Sequence, residues 1–147
     1  MWHETELRVR YAETDKMGIV HHSNYYVWFE LGRSEFCRSR GFSYRDMEDN
    51  DGALLVVAES YCRYKSPAHY EDLLLLRTQI ARIRSRSISF VYEVFRPSDD
   101  TVIAEGETMH IVVNRKNKII SLPKRYEAML MTGSDESHAF PAELPPS

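Results

Sequence analysis

The chain has 147 residues, of which 43% are hydrophobic and 12% aromatic, and its 19 basic and 22 acidic residues leave a net charge of -3. The length suits one domain with its own core, and the charge argues against a general nucleic-acid binder, whose affinity would rest on phosphate contacts. No apolar run could span a bilayer and no signal peptide begins the chain, so we expect a cytoplasmic protein with Cys37 and Cys62 as free thiols.

The first predicted elements are a short strand and a long helix. Residues 6–11 alternate between apolar and charged side chains, which predicts a half-buried strand. From Ser23 or Asn24, both good N-caps, large apolar side chains recur every three or four residues until Gly41 supplies a stop. Gly32 inside this helix costs about 1 kcal/mol relative to alanine, so we expect another backbone to approach the helix closely there.

The rest of the chain is predicted to be mostly strands. A polar, acidic stretch over 45–52 is compatible with a short helix, and another short helix is predicted over 124–131 after Pro123. Residues 133–147 have the composition of a disordered tail, which leaves a single domain over 1–132. Between the helices, alternation and turn residues predict strands over 53–64, 73–83, 87–95 and 101–114.

The order of these elements predicts an α+β fold. Sequential long strands joined by short turns imply an antiparallel sheet, and one helix that is apolar over a wide arc implies that the sheet curls around it. One such layer leaves a sheet edge exposed, and pairing of two subunits edge to edge would cover it. We therefore expect at least a dimer.

The segment just before the long helix is rich in groups that carry chemistry. Asp15 precedes Gly18 and the adjacent His21 and His22. Neighbouring histidines rarely bind one ion together and no supporting ligand stands at a helical offset, so no metal site is expected. Asp15 has two interpretations: a turn aspartate that hydrogen-bonds its own backbone, or a carboxylate facing the free N–H groups of the helix N-terminus, where a carbonyl oxygen could be polarised.

Two segments together resemble a known family. They carry the patterns Tyr11-x-x-x-Asp15-x-x-Gly18-Ile-Val-x-His22-x-x-Tyr25 and Tyr64-x-x-Pro67-Ala68-x-x-x-Asp72, and between them stands an aromatic-rich helix that contains Arg33. The chain thereby resembles the hot-dog-fold acyl-CoA thioesterases of the 4-hydroxybenzoyl-CoA thioesterase type, in particular their bacterial short-chain branch. The resemblance implies a long central helix wrapped by a curved antiparallel sheet, and hydrolysis of an acyl thioester to free acid and coenzyme A without a cofactor.

The resemblance also implies roles for single residues around Asp15. The family's catalytic carboxylate falls on Asp15, acting as nucleophile or as general base toward water. Tyr11 and His22 match positions that line the same pocket, although Tyr11 could be an inward strand aromatic and His22 a polar residue near a helix start. The oxyanion is expected at backbone amides near the glycine, for which the candidates are Gly18, Ile19 and Val20.

Coenzyme A would lie near the subunit interface, where arginine forks and serine hydroxyls suit its phosphate oxygens. The segment that matches the family's phosphate-contacting region is the basic hairpin Arg84, Ser85, Arg86 and Ser87. By itself such a patch suits a phosphorylated small molecule or a solvated hairpin end. Lys65 is a second candidate, with solvation as its alternative.

Several alternatives stay open at this stage. A hot-dog hydratase or dehydratase would use His22 with an acid, and a non-catalytic acyl-CoA-binding protein would need no carboxylate at the carbonyl. Aromatic residues of the helix could line an aryl pocket or fill the core. The acyl group, an acyl carrier protein in place of free coenzyme A, and a homodimer or homotetramer are likewise undecided.

Overall fold

A computed structural model describes residues 2–131, so the predicted tail 133–147 lies outside the described part of the chain. The prediction of strand, long helix and sequential strands is confirmed. A short 3₁₀ helix, Tyr11–Glu13, follows the first strand. In chain order the other elements are β1 (His3–Arg8), α1 (Asn24–Ser39), α2 (Tyr44–Asp51), β2 (Leu54–Tyr64), β3 (Leu73–Arg84), β4 (Ser87–Arg96), β5 (Thr101–Val113) and α3 (Lys124–Met131).

The five strands form one antiparallel sheet in the order β1-β3-β4-β5-β2, so β1 and β2 are its edges. Three β-bulges, near Ala58 in β2, Ala81 in β3 and Ile103 in β5, interrupt the register, and bulges bend a strand and increase its twist. The apolar face of α1 packs on this sheet with the buried side chains Tyr25, Trp28, Phe29, Phe36 and Cys37. The predicted α+β architecture is confirmed.

Two glycines set how closely α1 approaches the sheet. A Cβ on Gly32 would overlap the Thr78 hydroxyl and contact Leu76, both on β3. The sheet does approach the helix closely here, but side chains make the contact, so the predicted approach of another backbone is wrong. On the other half of the sheet, Gly106 of β5 leaves room for the Phe29 ring. Phe29 can then stack on Tyr92, with ring centroids 4.3 Å apart.

The first strand differs from its prediction. β1 ends at Arg8, and the chain turns at Arg10 instead of continuing to Tyr11. The cause is the buried Glu13, whose carboxylate accepts a 2.8 Å hydrogen bond from the Arg10 amide and a 2.9 Å bond from the indole of Trp28. Tyr11 therefore opens a 3₁₀ turn rather than pointing inward from a strand.

Candidate active site

A cavity of about 420 Å³ lies where the loop before α1 meets the end of β2. The loop contributes Asp15 and also His22, which stands just before α1. Its other lining residues are Ile19, Val20, Tyr25, Tyr64, Lys65, Ser66 and Pro67. The two segments that carried the family pattern therefore meet here.

Asp15 is held by its own loop. Its Oδ1 accepts hydrogen bonds from the amides of Met17 at 2.8 Å and Ile19 at 3.4 Å, and Gly18 adopts a φ of 81°, which favours glycine. The turn expected for this aspartate is therefore present. The same turn places Asp15 in the cavity wall, and its Oδ2 accepts no hydrogen bond within residues 2–131. A carboxylate oriented through one oxygen keeps the other for chemistry.

Glu13, which the sequence interpretation missed, anchors this loop to the helix. Its carbonyl accepts hydrogen bonds from the His21 amide at 2.8 Å and from the Asn24 side chain at 3.0 Å. Although burial opposes ionisation, the hydrogen bonds from Arg10 and Trp28 outweigh it and lower the pKa of the Glu13 carboxyl. The spacing of Glu13 three residues after Arg10 was the available signal, since it allows a capping contact.

The three amides expected to bind the oxyanion all have acceptors within the chain. Gly18 donates to the Asp15 carbonyl at 3.0 Å and Val20 to the Ala68 carbonyl at 2.9 Å, while the Ile19 amide makes only the longer bond to the Asp15 carboxylate. Among the described residues, the His22 amide has no acceptor. It stands just before the first turn of α1, where N–H groups are free to bind a ligand.

The side chains of His22 and Tyr11 differ in position. His22 lines the cavity, its ring stacked on His21 and edge-on to Tyr64, whose hydroxyl donates to the His22 carbonyl at 3.2 Å. Tyr11 is 76% exposed and packs edge-on against Tyr70, outside the cavity lining. One subunit thus brings Asp15 and His22 together and leaves Tyr11 on the surface.

Two tyrosines form the aromatic wall of the cavity. Their ring centroids, in Tyr25 and Tyr64, lie 5.2 Å apart. Burial raises the pKa of Tyr25 to about 12 and that of Tyr64 further still, so both phenols remain neutral donors at ordinary pH. Of the helix aromatics left unassigned by the sequence, Trp28 and Phe29 fill the core.

The candidate phosphate contacts lie in two places. The Lys65 ammonium at the cavity is 3.2 Å from a Glu105 carboxylate oxygen. The hairpin 84–87 lies elsewhere: Ser87 pairs with Ile111, whereas Tyr64 pairs with Ala104. These partners are separated along β5 by seven residues, or about 23 Å at 3.3 Å per residue. Arg84 and Arg86 are exposed and make no ion pair in the described part of the chain.

Within residues 2–131, histidine, cysteine, aspartate and glutamate side chains form no cluster of three or more that could hold a metal ion. Over the same residues, no helix combines the length and the apolar character needed to cross a membrane.

Comparisons with known proteins agree with this geometry. Residues 9–145 match the Thioesterase-like superfamily. The Escherichia coli acyl-CoA thioester hydrolase YbgC is 31% identical over 119 residues, which cover 80% of this chain and 87% of the relative. A DHNA-CoA thioesterase structure from Staphylococcus aureus has a TM-score of 0.80 at 31% identity, covering 86% of this chain and 85% of its own. A hypothetical protein from Aquifex aeolicus superimposes with a TM-score of 0.82 at 38% identity, covering 87% and 98% respectively.

Proposed function

The chain belongs to the thioesterase-like superfamily and is a hot-dog-fold thioester hydrolase, and we propose that Asp15 is its catalytic carboxylate toward acyl-CoA. The observation that carries this proposal is that one cavity is lined by Asp15, which has one oxygen bound to its own loop, and by His22, whose amide has no acceptor among residues 2–131. The named relatives support hydrolysis over the hydratase and binding-protein alternatives.

The residues divide the work of hydrolysis between them. The His22 amide is the principal donor to the carbonyl oxygen, with the weakly engaged Ile19 amide as second, because Gly18 and Val20 already donate to carbonyls. Asp15 attacks the carbonyl carbon to give a mixed anhydride that water opens, or removes a proton from the attacking water. Either route releases the thiol of coenzyme A. The His22 ring positions substrate or water in this proposal, and no cofactor takes part.

A second subunit completes the site in this proposal. Exposed apolar side chains concentrate along the α1 and β2 edge, namely Tyr26, Val27, Leu31, Val56, Val57 and Tyr64. Patches of this kind mark interaction surfaces. Pairing two copies of β2 about a two-fold axis runs the strands antiparallel, so the hairpin end of one subunit meets the cavity end of the other.

This pairing supports the assignment of the coenzyme. The exposed hairpin of one subunit, residues 84–87, would reach the phosphates of coenzyme A while its pantetheine arm enters the partner's cavity beside Lys65. Tyr11 is exposed on the same side as the cavity loop and would contact substrate only in that assembly. The proposed assembly is a homodimer or a homotetramer built from it, acting in the cytoplasm on acyl-CoA or on an acyl carrier protein thioester.

The test is release of free thiol from a panel of acyl-CoAs by the wild-type protein and by Asp15→Asn. Asparagine keeps an oxygen that can accept from the Met17 amide, so the loop stays in place while the charge is lost. We expect the variant to lose about 10²-fold or more in kcat, the scale of a catalytic acid or base. Asp49→Asn, on the exposed face of α2, is the matched control. An Asp15→Asn protein as active as the wild type would refute the role of Asp15.

A further inference from the structure

A second cavity, of about 260 Å³, lies further along the same side of the molecule. α1 and β2 run in opposite directions along both cavities. In the first cavity, His22 and Tyr25, just before and at the start of α1, face Tyr64 at the end of β2. In the second, a later part of α1 faces an earlier part of β2. The second cavity is lined by Tyr26, Val27, Glu30, Arg33, Val57, Ser60 and Thr108. The two cavities therefore lie one after the other between α1 and the β2 edge.

The inner wall of this cavity carries a buried cation without a counter-ion. Arg33 is only 9% exposed, and no carboxylate in the described part of the chain lies within 4.0 Å of its guanidinium, Glu30 included. The Arg33 guanidinium bonds to the neutral Tyr92 side chain, and a buried cation without an opposite charge is costly. Arg33 thus has a hydrogen-bond partner but no carboxylate partner within residues 2–131.

The polar groups behind Arg33 cannot supply the missing charge. The Thr108 hydroxyl is 2.5 Å from the Tyr92 hydroxyl and 2.8 Å from His110 Nε2, so these side chains bond to one another. Burial and the Arg33 charge lower the pKa of His110 to about 3, which keeps the imidazole neutral. The Thr108, Tyr92 and His110 side chains are therefore uncharged at ordinary pH, and Arg33, which bonds to Tyr92, lines the cavity.

We infer that this cavity binds the far end of the acyl group and that Arg33 receives a terminal carboxylate there. The inference rests on the proposed thioesterase function. From Tyr25 at the first cavity to Arg33 is eight residues of α1, or about 12 Å at 1.5 Å per residue, which a medium-length acyl chain spans. Tyr26, Val27 and Val57 supply apolar walls for its methylenes.

A second copy of the chain is a weaker candidate for the anion. Pairing along β2 would present the partner's version of the same strand, and Val57 and Ser60 on its cavity side carry no charge. The one acid of β2, Glu59, lines a different cavity with Arg82 and Arg84. Glu30 stands exposed on α1 at the mouth of the Arg33 cavity, where its charge would weaken but not cancel the attraction of a carboxylate.

The experiment compares thioesters of equal length with and without a terminal carboxylate: adipoyl with hexanoyl, suberyl with octanoyl, and sebacyl with decanoyl coenzyme A. We expect the wild-type kcat/KM to favour the carboxylated member of at least one pair by about tenfold or more, the scale of a hydrogen bond to a charged group. Arg33→Met should bring that ratio close to one by raising the KM of the carboxylated thioester. Arg38→Met, an exposed arginine of the same helix, should preserve it.

The outcomes separate this inference from the proposed function. Hydrolysis of the plain acyl-CoAs with wild-type ratios at or below one overturns the carboxylate site and leaves the thioesterase standing, whereas no hydrolysis of any thioester refutes the proposed function itself. If Arg33→Met dissociates a dimer while the wild-type ratios are near one, the partner supplies the anion and the inference is wrong. Should Arg33→Met fail to fold, Glu30→Gln provides the test instead. Its kcat/KM ratio of carboxylated to plain thioester must exceed the wild-type ratio, and an unchanged ratio counts against the site.

Discussion

The two edges of the sheet are built differently. β1 has six residues with exposed charges at alternate positions, and its Glu4 is tied to Arg77 of β3 at 2.8 Å. β2 has eleven residues and exposes Val56 and Val57, each nearly half accessible. Short, charged strands are how proteins finish an edge that faces water, whereas a long apolar edge invites another strand. The contrast supports the proposal that a partner subunit pairs with β2 rather than with β1.

The largest expected effect comes from placing a charge on the β2 edge. Val57→Lys would bury an ammonium between two subunits, at a cost of about 3–5 kcal/mol, or at least about a hundredfold in dimer affinity. We expect monomers by light scattering and, because the proposed site is shared between subunits, loss of thiol release. Glu6→Lys on β1 is the matched control and should change neither. A Val57→Lys protein with the same oligomeric mass as the wild type would contradict the proposal that β2, unlike β1, pairs with a partner.

A smaller effect is expected where α1 rests on the two halves of the sheet. A methyl at Gly106 would meet the Phe29 ring and the Tyr61 carbonyl, which cannot move aside, so Gly106→Ala should lower the free energy of unfolding by about 3 kcal/mol. At Gly32 the clash with Thr78 is partly offset by about 1 kcal/mol of helix propensity. Denaturant titrations should therefore rank Gly106→Ala as the more destabilising change, and the reverse order would contradict this account.

The smallest effect is expected at the β1 edge of the sheet. Arg77 joins Glu4 of β1 to Glu93 of β4 at 2.8 and 2.7 Å, and its guanidinium lies over the Phe95 ring. Arg77→Met keeps much of the apolar contact and removes partly exposed ion pairs, so we expect a loss of about 0.5–1 kcal/mol that shrinks as salt is added. The measurement is the free energy of unfolding at low and high salt, with Arg38→Met for comparison. A loss independent of salt would assign the effect to packing instead.

Much of the fold was accessible from local pattern. The predicted bounds of β4, β5 and α3 agree with the structure to within a residue or so, because alternation, turn residues and Pro123 act over short distances. The end of β1 was wrong because a distant group decides it: Trp28 and the Arg10 amide hold Glu13 in the core, and the chain bends to reach them. The spacing of Arg10 and Glu13 allows the capping contact, but the bond from Trp28 that buries the carboxylate comes from fifteen residues away.

For the candidate site, too, the sequence predicted some features and the folded structure decided others. The spacing of Asp15, Gly18 and His22 pointed to the loop, and that loop lies in the wall of the larger cavity. Which amide is free to bind an oxyanion could not be read from spacing, since the acceptors of the Gly18 and Val20 amides depend on the folded loop and on Ala68 of another segment.

By itself, the sequence determined the kinds of element, their order and the segment that carries the chemistry, because side-chain periodicity and turn propensity are local properties. Only the tertiary structure decided that β2 pairs with β5 and becomes the second edge. This pairing places the second cavity beside α1 and leaves Arg33 buried with no carboxylate partner in the described part of the chain. Burial and charge compensation are properties of neighbours far apart in the chain. From the sequence, an arginine in a helix could lie on the surface or in the interior. The fold around it determines which.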